Sequence, residues 1–291
     1  MGHLTRIRIP AAGVGRTGNA VCATAVNEPF LPRSMRLIGL AAFALSLASG
    51  CALWQPTTVP MRTVLLPAAC AAKADTLVVF LPGSWSAPED YMREGFVAKL
   101  RARHVVADVL LPDAHLGYYS DRSIIDRLHA DVIVKARASG YRHLWLVGIS
   151  IGAYGALIHS VAPPTGELAG VDGLVLIAPY LGDRRVSTSI DSSGGLRHWL
   201  APAVPQPPNE DDQTVWRWLQ GYTSGADRPP LWLGYGLSDR FAFSDRLLAD
   251  GLPAARVFTV AGGHDWSTWN ALWDRLLPAL PLPVDASCSP G

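Results

Sequence analysis

Short apolar runs alternate along the chain with stretches in which apolar residues recur every three or four positions. The clearest run is Thr76–Leu81 (TLVVFL), followed by the turn Pro82-Gly83. Similar runs at 104–111, 143–147, 171–178, 231–236 and 256–260 predict further strands. Helices are predicted at 88–103, 121–138, 151–162, 243–249 and 266–277. The first opens at Pro88, where a missing N–H does no harm. The second carries Ile124, Ile125, Leu128 and Val132 at helical spacing, with Gly140 to close it. The third has no polar stripe, as a helix beside a buried sheet requires. A linker at 51–75 admits one short strand at 61–66. Strands alternating with helices imply a mostly parallel α/β sheet with helices on both faces. The alternation breaks at 183–230, where Ser, Gly, Pro and acidic residues surround one helix-like stretch at 212–222. That interval is too long for an ordinary connection and predicts a lid insertion. The folded domain is therefore expected at 76–279, followed by a Pro-rich tail at 280–291.

Composition agrees. The chain is 49% hydrophobic and 17% charged, which suits a sheet covered on both faces. A formal net charge of +1 offers no basic surplus for nucleic acid. The cysteines are Cys22, Cys51, Cys70 and Cys288, without C-x-x-C spacing or clustered histidines, so no metal site is expected. Residues 1–34 carry Arg6, Arg8, Arg16 and Arg33 against the single acid Glu28. Met35-Arg36 then precede an apolar run ending in Ala48-Ser49-Gly50-Cys51. A basic start, a short apolar stretch and small residues before a break are the parts of a signal peptide, here at 35–50. The run is well short of the ~20 residues a spanning helix needs. Its end resembles the lipobox of bacterial lipoproteins. The resemblance implies lipidation at Cys51 and a place in the bacterial cell envelope, anchored to membrane in the periplasm or at the outer membrane. Ordinary secretion and an uncleaved anchor are the alternatives. With Met35 as the start, residues 1–34 are expected to be a gene-model extension. After export Cys70 and Cys288 would mature in an oxidising space, and both a disulfide and two free thiols stay open. Gly13 to Gly18 fits G-x-G-x-x-G, but Pro10 interrupts the strand that pattern needs and no second strand with a terminal acid follows, so it is set aside.

The chemistry-bearing pattern is Gly148-Ile149-Ser150-Ile151-Gly152, a G-x-S-x-G between a predicted strand and an apolar helix. A serine on a sharp strand-to-helix turn needs neighbours without bulk two positions before and after. The turn lifts Oγ above the sheet over the positive end of the helix and aims the N–H of Ile151 at a developing oxyanion. The plain alternative is a glycine-flanked serine in a tight turn. A serine hydroxyl needs a base. Of eight histidines, His104 and His143 begin predicted strands, His129 and His159 lie inside predicted helices, His3 is in the leader and His198 in the insertion. Only His115 and His264 follow the carboxyl end of a strand, where open α/β sheets place their sites. His264 follows Gly262-Gly263, which let its loop approach the serine. Asp239, after the run 231–236, is the orienting carboxylate; Asp245 reads as part of the next helix, and Asp265 adjoins the histidine too closely to reach its ring nitrogen. The chain order is then Ser, Asp, His. The loop after Leu81 should supply a second oxyanion donor, the N–H of Ser84 or Trp85. His115, Tyr118, Tyr119, Trp218 and Trp266 are candidates for a substrate pocket, although any one aromatic is more readily explained by packing.

Leu-Pro-Gly-Ser at 81–84, Gly-Ile-Ser-Ile-Gly at 148–152 and Gly-Gly-His-Asp-Trp-Ser-Thr-Trp at 262–269 resemble signatures of α/β-hydrolases. The last is similar to the ending of esterase-D-like and feruloyl-esterase-like enzymes. The resemblance implies the α/β-hydrolase fold and hydrolysis of a small-molecule acyl ester with no cofactor. The chain departs from those enzymes where many carry His-Gly in the oxyanion loop, and at Ala153, where esterase-D-like members often have glycine. The same triad would serve a thioesterase, or an acyltransferase if water were kept out. An anchored, non-catalytic binding protein is the alternative from another class, distinguished by whether Ser150 reacts with a fluorophosphonate.

Overall fold

The structure is a computed structural model that describes residues 55–70, 74–161, 170–286 and 288. The extension at 1–34, the leader at 35–50 and Cys51 lie outside those residues.

Seven strands form one sheet in the order β1-β3-β2-β4-β5-β6-β7. They are β1 (Thr63–Leu66), β2 (Thr76–Leu81), β3 (Asp108–Pro112), β4 (His143–Ile149), β5 (Gly173–Ile177), β6 (Leu231–Gly236) and β7 (Val257–Val260). Only β1 runs antiparallel to its neighbour; the other pairings are parallel. Side chains of a strand point alternately to opposite faces, so a strand buried on both sides feeds two cores. In β2, Leu77, Val79 and Leu81 enter one apolar cluster and Val78 and Phe80 the other. This is why TLVVFL is apolar throughout.

The second cluster is closed by α1 (Asp90–Arg93), α2 (Phe96–Ala102) and α10 (Trp266–Leu276), with Phe96 stacked on Trp273 at 5.4 Å. The first is closed by α3 (Leu116–Ser120), α4 (Ile124–Arg127), a π-helical turn (Leu128–Ile133), α5 (Val134–Ala138), α6 (Ile151–Val161), α7 (Arg184–Ser192), α8 (Glu210–Gln220) and α9 (Ala242–Ala249). The segment at 183–230 is inserted between β5 and β6 and holds α7 and α8. Its Val186, Ile190, Val215 and Trp216 join the same apolar cluster as α6.

Several predicted boundaries move, each for a local reason. The helix expected at 88–103 is broken by Gly95, whose φ of +79° lies in the left-handed region, into α1 and α2. The strand expected at 104–111 begins only at Asp108, because His104 takes φ +56° and Val105 and Val106 pair with the carboxyl-terminal segment instead. That segment, expected to be a mere tail, pairs with the residues that lead into β3. Val106 N–H donates to Pro283 O at 2.8 Å, and Leu280 and Leu282 are buried. A disulfide joins Cys70 to Cys288 across 218 positions of sequence. The π turn carries His129 against His159 of α6, their rings 5.9 Å apart. His159 is fully buried, and neither of its ring nitrogens meets a hydrogen-bond partner among the described residues.

Candidate active site

Ser150 stands between the end of β4 and the start of α6 with φ +55°, a conformation that side-chain-bearing residues hold only when their surroundings impose it. Its N–H donates to Ile177 O at 3.0 Å. Its carbonyl accepts from the N–H of Tyr154 at 3.3 Å and of Tyr180 at 3.1 Å. The flanking glycines have a steric cause. A Cβ on Gly148 would strike the backbone of Ala153. One on Gly152 would collide with the carbonyl oxygen of Leu81 and sit 2.6 Å from that of Pro82. The helix start and the end of β2 are therefore pressed together backbone to backbone. Gly83 follows at the same place, its Cβ position 3.7 Å from Ser150 Cβ.

The imidazole of His264 bridges the serine and the aspartate. Nε2 lies 3.0 Å from Ser150 Oγ, and Nδ1 lies 2.8 Å from Asp239 Oδ2. The other carboxylate oxygen, Oδ1, accepts the N–H of Phe241 at 2.8 Å. Asp239 is thus acceptor to two donors, and its side chain is fully buried while that of His264 is 10% exposed. Both loops leave the carboxyl ends of adjacent parallel strands. They are tied together by Ser238 N–H donating to Gly262 O at 2.9 Å, with Gly262 at φ +136°. Asp265 turns away to cap α10, accepting the N–H of Thr268 at 2.9 Å. Asp245, the rival carboxylate, is buried in α9 with no hydrogen-bond partner among the described residues. Burial, and then the charge of Asp239, raise its pKa well above the usual carboxylate range.

Of the expected oxyanion donors, Ile151 follows Ser150 directly, and Ser84 and Trp85 follow Gly83. Ile151 opens α6, where the first N–H groups have no partner within the helix. Ser84 and Trp85 lie in the turn closed by Ser86 N–H donating to Gly83 O at 3.1 Å. Among the described residues neither of their N–H groups forms a hydrogen bond. The indole of Trp85 points to solvent.

The aromatic candidates fare differently. His115 is the N-cap of α3, its Nδ1 accepting the N–H of Gly117 at 3.1 Å. The Tyr118 hydroxyl donates to Thr58 O and accepts Thr58 N–H, both at 3.1 Å, and so pins the segment leading into β1. Tyr119 is packed with its hydroxyl against Gly155 of α6. Trp218 meets Tyr222 edge-on, and the Tyr222 hydroxyl donates to Pro229 O just before β6, so this indole lies at the opposite edge of the sheet from Ser150. Capping and packing account for these four. Trp266 packs between Tyr91 and Phe96 and reaches the histidine only through Trp269. The rings that meet His264 are Phe241, at 5.0 Å, and Trp269, at 5.1 Å, both edge-on. Tyr180 continues the wall beside Phe241 at 5.6 Å. Sequence reading missed all three. The available signal was position: Phe241 is two residues beyond Asp239, Tyr180 follows β5, and Trp269 is one turn into α10. Among the described residues no group of three His, Cys, Asp or Glu side chains could hold a metal, and no helix is long and apolar enough to cross a membrane.

Residues 78–288 match the family model described as the alpha/beta hydrolase family. No curated protein matches the chain. Similar solved structures include a hydrolase from Pseudomonas aeruginosa (17% identity, 75% of this chain and 93% of that one, TM-score 0.47). Another is an S-formylglutathione hydrolase from Staphylococcus aureus (14% identity, 74% and 82%, TM-score 0.46). A ferulic acid esterase is a third (14% identity, 75% and 96%, TM-score 0.45). The family match and the geometry above stand independently of these.

Proposed function

The chain belongs to the alpha/beta hydrolase family, and from that premise we propose that it is a serine hydrolase cleaving carboxylic esters through a covalent acyl-enzyme. The observation that carries the reading is the hydrogen-bonded series Asp239–His264–Ser150 at the carboxyl edge of the sheet, with links of 2.8 and 3.0 Å. His264 Nε2 takes the proton of Ser150 as Oγ attacks the acyl carbonyl, and returns it to the departing alkoxide. Water, deprotonated by the same nitrogen, then releases the acid. Asp239 holds the proton on Nδ1 and stabilises the imidazolium; the bond from Phe241 N–H fixes the carboxylate for that task. The N–H groups of Ile151 and of Ser84 or Trp85 bind the oxyanion, each worth roughly 3–4 kcal/mol of barrier. Tyr180 and Phe241 offer an apolar wall next to the reacting atoms, which favours an ester with an apolar substituent.

A fluorophosphonate probe tests the reading. The wild-type protein is expected to label at Ser150, and Ser150→Ala to lose both labelling and turnover, the latter by on the order of 10⁶-fold. Undiminished ester hydrolysis by Ser150→Ala would remove the assignment. We propose further that the protein is exported and anchored through lipid at Cys51 in the cell envelope. The Cys70–Cys288 disulfide supports maturation in an oxidising space. Mass spectrometry of the mature amino terminus tests this: a diacylglyceryl-modified Cys51 is expected, and a mature terminus elsewhere would refute it.

A further inference from the structure

The strained turn at Ser150 is held from the inserted segment as well as from the sheet. Of the two residues whose N–H groups donate to the Ser150 carbonyl, Tyr154 is itself bonded to α8, and Tyr180 lies in a loop that is bonded there through Asp183. The Tyr154 hydroxyl donates to Asp212 Oδ1 at 2.8 Å. Three residues beyond Tyr180, the N–H of Asp183 donates to Asp212 Oδ2, also at 2.8 Å. Trp216, further along the same helix, donates its indole N–H to Leu181 O at 2.9 Å. Asp212 is buried, and Gly182, at φ +88°, clears its seat; a Cβ there would fall on the carboxyl group. The two arms so joined are both under backbone strain, with Ser150 at φ +55° and Ala178, at the head of the loop, at φ +47°. Such conformations cost on the order of 1–3 kcal/mol each and persist only where neighbours over-determine them.

We propose that Asp212 is a positioning residue for the nucleophile. One carboxylate, taking a donor from each arm, locks the helix start and the β5 loop into the relative placement that fixes the Ser150 carbonyl and thereby the direction of Oγ toward His264. The inserted segment on this view is a brace for the reactive turn rather than a cover over it. The inference rests on the serine-hydrolase reading of the site.

The chemistry of the bridge dictates the test. A carboxylate accepts at both oxygens, whereas a carboxamide has one acceptor and one donor. Asp212→Ala removes both acceptors; Asp212→Asn would not serve, because its N–H₂ group would donate to the Tyr154 hydroxyl, which also accepts, while its oxygen keeps the Asp183 N–H. Tyr154→Phe deletes the other end of one link at almost unchanged volume. Fluorophosphonate labelling rate, kcat and KM for a p-nitrophenyl ester, and Tm are measured for each variant, with kinetics taken well below the melting transition. In both variants labelling rate and kcat are expected to fall together by about 10–100-fold with KM little changed, because a small misdirection of Oγ penalises attack and not binding. The double variant should be no slower than the slower single one. Gln220→Ala is the control. Its amide donates to Leu196 O and Trp199 O within the inserted segment, at 2.9 and 2.7 Å. Its loss should lower Tm without slowing either reaction. Should Asp212→Ala fail to fold, Tyr154→Phe decides alone. Wild-type labelling rates in the variants that fold, or an equal slowing in Gln220→Ala, would overturn the brace while leaving the triad intact. A wild-type protein that does not label at all would overturn the triad reading and the brace with it.

Discussion

His159 should make the fold sensitive to mild acid, and the size of the effect follows from its surroundings. Its ring is fully buried in α6, with His129 stacked on it at 5.9 Å and no hydrogen-bond partner among the described residues. Burial, and then the charge of His129, lower its pKa from 6.5 to about 4. In the unfolded chain the same ring titrates near 6.5. Between these values the unfolded state binds a proton that the folded state refuses, so stability rises with pH across that window and falls as pH drops through it. At about 1.4 kcal/mol per pH unit the full penalty below pH 4 is about 3 kcal/mol, of which about 2 kcal/mol is already felt at pH 5. His159→Leu removes the titrating ring and keeps a similar volume. Urea unfolding of both proteins at pH 7.5 and 5.0, with the disulfide intact, isolates the effect, because the other titrating groups are common to both. The wild type is expected to lose about 2 kcal/mol more than the variant over this interval. Equal losses would refute the reasoning.

Three other perturbations read the site and its frame. Gly152→Ala must push apart the start of α6 and the carbonyls of Leu81 and Pro82. Ester turnover and fluorophosphonate labelling should therefore both drop by at least about tenfold, and a variant with normal rates would show that the contact can relax. Asp239→Asn leaves the packing in place but presents a donor to His264 and favours the wrong tautomer. A fall in kcat on the order of 10³–10⁴ is expected, whereas a fall under tenfold would give the orienting role to another group. Reducing Cys70–Cys288 releases a constraint across 218 residues of sequence. It should lower unfolding free energy by roughly 2–5 kcal/mol, read as a shift of the denaturant midpoint with and without dithiothreitol; an unmoved midpoint would show the bond to be thermodynamically idle.

What the sequence revealed depended on whether the cause was local. β2 and β6 are bounded as predicted because unbroken apolar runs end at Gly or Pro. The turn at Ser150 was legible because close backbone approach leaves glycine as the only residue that fits at 148 and 152. His264 and Asp239 were legible because each follows a recognisable strand. The failures have non-local causes. Asp108, rather than His104, opens β3 because the carboxyl-terminal segment captures Val105 and Val106 from nearly 180 positions away. α7 is polar on most of its surface, and only Val186 and Ile190 betray the face it buries. Trp218 looked like a pocket residue by type. Its place at the far edge of the sheet is fixed by Tyr222, Arg228 and the turn before β6, which no local pattern announces.

The bond between Cys70 and Cys288 also changes what a protease can accomplish. The polypeptide between these positions is topologically a closed ring, so a single backbone cut anywhere inside it opens the ring without setting a fragment free. Nicked molecules would co-migrate with intact ones until a reductant is added. Two cuts inside the ring, or one cut there and a reduced bond, are needed before any of β2 to β7 can diffuse away.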